Sequence, residues 1–477
     1  MKTLTDDWNE LVAWFDSDRR IAIGIFVLAL VTFAFFHGGA GWNQNANFDL
    51  TRALVERGTV YIDGYAANTG DVSSGRGGHV YINKPPGLSF LATIPYAIVC
   101  AYERAAGISP DEYARMNQWI TTAATCGVCG ALIGSILFLY GRRRLGTSAR
   151  DALVISLVIL FGTIVFPYST MLFAHVPPAL FMLLAVVWMR ERPLLAGMAA
   201  GLATLCFYVC APAAIVIVLI TRSRRMIAGG APFAILLGAY HWLCFESPFR
   251  TSVETSTPFT EKGLLFGVLR LPRADALYGL TLSPYRGLFF ASPVLLFAFI
   301  GAMRMWRARD LRHDFYAVAS CVAVYFIAIS AFNQWNGGWA FGPRYLLPIV
   351  PLFGIAMLAA MPLQSRRTRA LFLVAALFSI GTNFLATAVD PMPPPGVDNP
   401  LVDYLAPAFF TGEISELTMA AVPWFHDTHV KPVALATGSG NLGELAFPEA
   451  SRASLIPIAL WMLGGTALLT SAASKRA

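Results

Sequence analysis

The chain has 477 residues, of which 56% are hydrophobic and only 13% charged. A soluble globular protein carries roughly 25% charged residues, so this composition excludes a soluble domain and points to a polytopic membrane protein. The net charge of +7 would suggest nucleic acid in a soluble chain; here it reads as topology, because cytoplasmic loops collect Lys and Arg, and no nucleic-acid partner is expected.

Arg19-Arg20 precede the first apolar run, Ile21 to Phe36, which reads as an uncleaved signal anchor. Apolar stretches follow at 116–140, 152–166, 176–190, 194–207, 209–221, 227–245, 288–305, 314–332, 344–362, 369–389 and 455–472. Each reads as a crossing, about twelve spans in all. The basic clusters Arg142-Arg143-Arg144, Arg190/Arg192, Arg222/Arg224/Arg225, Arg304/Arg307/Arg309, Arg366/Arg367/Arg369 and Lys475/Arg476 all face the cytoplasm only if the apolar stretch 88–103 does not cross. That stretch contains Pro95, Tyr96 and Tyr102 and follows Pro85-Pro86, so it reads as a helix lying at the outer face. The expected architecture is one all-α, integral membrane domain, 1–477, with both termini inside. It belongs in the cytoplasmic (inner) membrane, surrounded by membrane lipids. Its large outer loops are 38–115, 246–287 and 390–454, with short outer turns at 167–175 and 333–343.

The seven cysteines lie in apolar segments; the Cys126/Cys129 spacing falls inside a helix without polar neighbours. They read as small packing residues and indicate neither a disulfide framework nor a metal site. There is no Walker A sequence, against an ATP-driven pump, and no half-length repeat, against a secondary transporter.

The first outer loop carries the chemistry. Its Asn47–Arg57 segment reads as a short helix stopped by Gly58. Asp49 near its start is either a first-turn carboxylate favoured by the helix dipole or a general base. Asp71, before the glycine-rich run 75–78, is either a turn residue or a base. Lys84 stands in Asn83-Lys84-Pro85-Pro86, a stiff segment that presents an ammonium suited to a phosphate. Asn43 and Asn45 in the same polar run, and Tyr81, count with it as substrate-binding candidates. His175 in the outer turn 167–175 is either a backbone-bonded interfacial histidine or a group that orients an acceptor and shares base duty. Arg344 opens a span at its outer end, where a charge is costly unless it pairs or reaches polar ground; it either snorkels or clamps a phosphate. Trp339 and Tyr345 suit an interfacial belt and count as substrate-binding candidates. The last loop, with Trp424, His426, His429 and Lys431, reads as a cap over the outer cleft.

These segments come in a telling order: a polar loop after the first span, a short helix ending in glycine, Tyr81-Ile82-Asn83-Lys84-Pro85-Pro86-Gly87, the interfacial run Leu88 to Tyr96, and Gly141-Arg142-Arg143-Arg144-Leu145-Gly146. Ser283-Pro284-Tyr285-Arg286-Gly287-Leu288 and Gly337-Gly338-Trp339-Ala340-Phe341-Gly342-Pro343-Arg344-Tyr345-Leu346-Leu347-Pro348 follow. The set resembles the GT-C superfamily of membrane glycosyltransferases, most closely the protein O-mannosyltransferases and the aminoarabinose transferase of lipid A. The resemblance implies a polyprenyl-phosphate sugar donor and transfer at the outer, periplasmic face to a lipid, glycan or protein acceptor. Lys84 would grip the donor phosphate. No cofactor is required, and a divalent cation is compatible with the scheme. The chain departs from the family where an acidic pair begins the first-loop helix: Asn43-Gln44 stand there instead. The base then falls to Asp71 or Asp49, and Asp71 is preferred because it is closer in sequence to Lys84. The same departure supports an alternative, a non-enzymatic protein that binds or translocates lipid-linked sugars.

Overall fold

The computed structural model describes residues 12–39, 41–111, 113–256, 269–412, 414, 440–447 and 452–476. The first helix, α1 (Asp18–Phe35), is capped by Ser17, whose hydroxyl accepts from the Arg20 amide. It runs into a two-residue strand, β1 (Phe36–His37). The loop 38–115 follows: α2 (Trp42–Arg52), a hairpin of β2 (Val72–Ser74) with β3 (Val80–Ile82), and α3 (Gly87–Ala105). Next come α4 (Ala114–Arg144), α5 (Ala149–Phe161), α6 (Val176–Trp188), α7 (Pro193–Cys206), α8 (Cys210–Thr221) and α9 (Arg224–Phe245). The second half has α10 (Ala274–Thr281), α11 (Ala298–Arg307), α12 (Arg312–Ser330), α13 (Arg344–Ala359), α14 (Arg366–Ala388), β4 (Gly440–Asn441) paired with β1, and α15 (Arg452–Ser474).

Five of these, α4, α9, α12, α14 and α15, are long and apolar enough to cross a membrane, and α6, α7, α8 and α13 are shorter apolar helices. Every apolar stretch read from the sequence has a helical counterpart. The α3 helix covers the stretch 88–103 expected to lie at the interface. It turns Ile94, Ile98 and Tyr102 outward and buries Ser89, Tyr96 and Glu103. The fold is not purely α: the described residues include two small antiparallel strand pairs, and one of them builds the site.

The two ends of the bundle differ. At one end Arg142 reaches Asp18 at 3.1 Å, and Arg144 and Arg190 reach Asp314 at 2.9 and 3.4 Å; Arg476 lies 3.7 Å from Asp18. The other end carries the first loop, which has a small core of its own. Ala46, Leu50, Ile62, Tyr81 and Ile82 pack there with Tyr240, Cys244 and Phe245 from the end of α9.

The α2 helix begins at Trp42, five residues before the sequence reading placed it, and passes through a π-turn to stop at Gly58 with φ +66°. Its start is hard to read because nearly every polar residue in it is buried, so the helix has no apolar stripe.

Candidate functional site

The hairpin assembles the centre of the site. Val72 pairs with Ile82, and just beyond that pair the Asn83 amide donates to the Asp71 carbonyl at 3.0 Å. The Asn83 side chain donates to Asp71 Oδ1 at 3.2 Å and to Ser256 Oγ at 2.9 Å. Lys84, one residue on, brings its ammonium to 3.0 Å from Asp71 Oδ2. The Pro85-Pro86 segment then leads into Gly87, where a Cβ would sit 2.5 Å from the carbonyl carbon of Leu205. Only glycine permits that approach, which seats the lysine segment against the outer end of α7.

Arg344 comes from the other half of the chain. It is almost fully buried, with its guanidinium carbon 4.9 Å from the Phe173 ring and 5.1 Å from the Tyr345 ring. No carboxylate lies within ion-pair distance of it among the described residues, and its Nε has no hydrogen-bond partner there. Its chain crosses Gly337, which has φ +75°; a Cβ there would lie 2.8 Å from Arg344 Nε. Arg286, fully buried, holds this crossing in place. It donates to the carbonyls of Asn336 at 3.3 Å and Gly338 at 2.9 Å, on either side of Gly337.

His175 is buried in an aromatic surround, 4.9 Å from the Phe207 ring and 5.5 Å from the Tyr345 ring, and neither ring nitrogen has a hydrogen-bond partner among the described residues. Burial, together with the nearby charges of Arg344 and Lys84, holds its imidazole well below its usual pKa and therefore neutral. Asp71 is in turn close enough for its charge to act on Arg344. Lys84, Asp71, Arg344 and His175 thus form one neighbourhood, built from four separate stretches of chain.

Beside it lies a cavity of about 1660 Å³. Asn43, Asn83, Lys84, His175 and Tyr345 line its polar end, and α7, α8 and α9 line the rest with small and apolar residues such as Ala200, Gly201, Pro212, Ala231 and Ala234. Ile215, Ile227, Ile235 and Trp242 line it too and are exposed on the outside of the bundle, so the cavity opens sideways between the helices.

The remaining candidates lie elsewhere. Asp49 is not at a helix start but within α2. It is fully buried; its Oδ1 accepts from Asn68 at 2.9 Å, and its Oδ2 has no partner among the described residues. Burial pushes its carboxyl up to about 8, against smaller opposing effects of Asn68 and Arg52. Asn45 faces the same side, donating to the Asn68 carbonyl at 2.9 Å and accepting from Gln118 at 3.3 Å. Tyr81 belongs to the small outer core, its ring 5.5 Å from Phe245 and its hydroxyl 3.3 Å from the Arg76 carbonyl. Trp339 packs against the apolar core and lines no part of the cavity. Trp424, His426, His429 and Lys431 lie outside the described residues. Among those described, no group of three or more His, Cys, Asp or Glu could hold a metal ion. Three contributors escaped the sequence reading: Asn83, Arg286, and a Tyr208–His241 pair on the cavity wall. Asn83 and Arg286 each had a signal, standing inside segments that carried the superfamily resemblance; Tyr208 and His241 had none.

No family model and no curated protein matches the chain. The solved structures similar to it include two of one protein. The crystal structure of ArnT from Cupriavidus metallidurans in the apo state shares 16% identity over 94% of this chain and 74% of that one, with a TM-score of 0.46. The same protein bound to undecaprenyl phosphate shares 17% identity over 95% and 76%, with a TM-score of 0.45.

Proposed function

We propose that this protein is a membrane glycosyltransferase of the GT-C type. It moves a sugar from a polyprenyl-phosphate donor to an acceptor outside the cytoplasm. The observation that carries the reading is the junction of two unlike surfaces. Lys84 stands at one end of a large apolar cavity whose lips open to the lipid, with the Asp71 carboxylate 3.0 Å from its ammonium and the buried Arg344 packed behind the cavity-lining Tyr345. A phosphate leaving water needs fixed cations, and an isoprenoid tail needs apolar walls that can be reached from the bilayer; the cavity supplies both.

The arrangement suggests a mechanism. Asp71 and Lys84 neutralise one another at 3.0 Å before the donor arrives. A donor phosphate competes for the ammonium and joins the guanidinium of Arg344. The carboxylate it displaces is then free to take the proton of the attacking hydroxyl, while both cations stabilise the departing phosphate. Attack from the face opposite the phosphate inverts the anomeric centre. His175, neutral and unpartnered, is placed to hydrogen-bond a bound ligand rather than to act as a strong base.

Orientation follows from the two ends of the bundle. The end where Arg142, Arg144, Arg190 and Arg476 gather around Asp18 and Asp314 is the cytoplasmic one. The site lies at the opposite end, and the chain spans the membrane about twelve times with both termini inside.

The test is binding of undecaprenyl phosphate to the purified protein in lipid nanodiscs. A charge-assisted contact contributes about 1.5–3 kcal/mol, so Lys84→Ala is expected to weaken binding by roughly 10- to 100-fold. Arg344→Lys also loses affinity, because it gives up the planar fork. Unchanged affinity in both variants overturns the site. Affinity that falls as expected, in a protein whose deletion leaves every lipid-linked sugar at its normal level, supports the non-enzymatic alternative instead.

A further inference from the structure

The cavity wall carries a second polar group for which the phosphate site has no use. Tyr208 occupies the short turn between α7 and α8, His241 lies on α9, and both line the cavity. The Tyr208 hydroxyl is 2.8 Å from His241 Nε2, and His241 Nδ1 is 3.3 Å from the Pro248 carbonyl oxygen. A carbonyl oxygen only accepts, so Nδ1 carries the ring hydrogen and Nε2 is a bare acceptor. The tyrosine hydrogen is therefore committed to His241. Ser252 Oγ, 3.3 Å away, can then only donate to the tyrosine oxygen, which leaves that oxygen one further lone pair to present.

The pair is tied to the phosphate site through a single turn. The Ser252 carbonyl accepts from Ser73 on β2, and Ser256, four residues on, accepts from Asn83 next to Lys84. The turn 251–256 therefore holds Tyr208 on one side and the Asn83–Lys84 segment on the other. The two sites also differ in the sign of what they accept. Lys84 and Arg344 attract an anion. An oxygen whose hydrogen is already engaged repels a phosphate oxygen and attracts an O–H.

We propose that Tyr208, oriented by His241, is a sugar-hydroxyl subsite: it accepts a hydrogen bond from a hydroxyl of the sugar in the cavity and so helps select which sugar is transferred. The subsite rests on the glycosyltransferase reading above. The hydroxyl belongs either to the sugar on the donor lipid or to the acceptor that attacks it, and the experiment separates the two.

Binding to nanodisc-embedded protein is measured for bare undecaprenyl phosphate and for undecaprenyl-phosphoryl glucose, mannose and arabinose, using whichever of the three the wild type binds most tightly. Tyr208→Phe keeps the ring and removes only the oxygen. It is expected to weaken the sugar-bearing lipid by roughly 2- to 10-fold and to leave bare undecaprenyl phosphate unchanged. His241→Gln, whose amide oxygen can still take the tyrosine hydrogen, retains most of the affinity; His241→Leu falls to the level of Tyr208→Phe. If lipid binding is unchanged but transfer to the endogenous acceptor in native membranes drops several-fold, the hydroxyl is the acceptor's. Equal losses for bare and sugar-bearing lipid, or no change in either assay, overturn the subsite. Lys84→Ala runs alongside: if it weakens neither lipid, the phosphate site itself fails, whereas a silent Tyr208→Phe beside a weakened Lys84→Ala removes only the subsite.

Discussion

Asp49 and Asp71 belong to the same outer loop, and each accepts a hydrogen bond from an asparagine side chain, Asn68 at 2.9 Å and Asn83 at 3.2 Å. Both are buried. Their second oxygens differ. That of Asp71 meets the Lys84 ammonium, whereas that of Asp49 meets nothing among the described residues. Burial alone makes a carboxylate costly, and a cation at 3.0 Å offsets the cost. Asp49 has no such partner, and the fold answers by favouring its protonated form. Of two residues that look equivalent in sequence, one is paired with a lysine that lines the cavity, and the other is buried against an asparagine amide with no cation on it.

The largest expected effect tests that division directly. Asp71→Asn should lower transfer by about 10²- to 10⁴-fold, the usual contribution of a general base, while undecaprenyl phosphate still binds. Asp49→Asn should leave the rate within about 3-fold. Radiolabelled transfer in native membranes measures both, and equal losses would break the comparison. A smaller effect concerns stability. The Asp49 carboxyl titrates at 3.8 when unperturbed and at about 8 in the fold, so between those values the folded state binds more protons than the unfolded one. Stability therefore falls as pH rises across that window. Asp49→Asn cannot titrate, and it should be more stable than wild type at pH 8 by at least about 1 kcal/mol, an advantage that shrinks to nothing as pH approaches 4. Thermal unfolding at several pH values reads this; a difference independent of pH would show that Asp49 does not titrate as its surroundings imply. The smallest effect tests the second cation. Gly337→Ala introduces a Cβ at positive φ and against Arg344 Nε. It should raise the KM for the donor lipid about 3- to 10-fold with a lesser change in kcat, because it displaces a binding group.

The apolar helices were legible because their signal is local: twenty or so consecutive residues either avoid charge or do not. The pairing of Asp71 with Lys84 was legible in outline too, since a short hairpin joins them. Two parts of the loop defeated the sequence. The start of α2 was missed because its polar residues are buried, so no apolar stripe marks the helix. Asp49 resembled a helix-start carboxylate only because that start was placed too late. The Tyr208–His241 contact spans 33 residues and the Arg286–Gly338 contact spans 52. Each exists only once distant helices have packed, and neither residue stands in a local pattern of spacing that announces it.

The seven cysteines, all unbridged and all buried except the half-buried Cys129, have a practical consequence. Their thiols are hidden in the helix packing, so the natural chain can serve as its own background for mapping sidedness with a thiol reagent that does not cross membranes. Ser109, exposed just after α3, and Arg150, exposed at the start of α5, flank the single crossing made by α4. A cysteine at position 109 should react in intact cells, and one at 150 only after the membrane is opened.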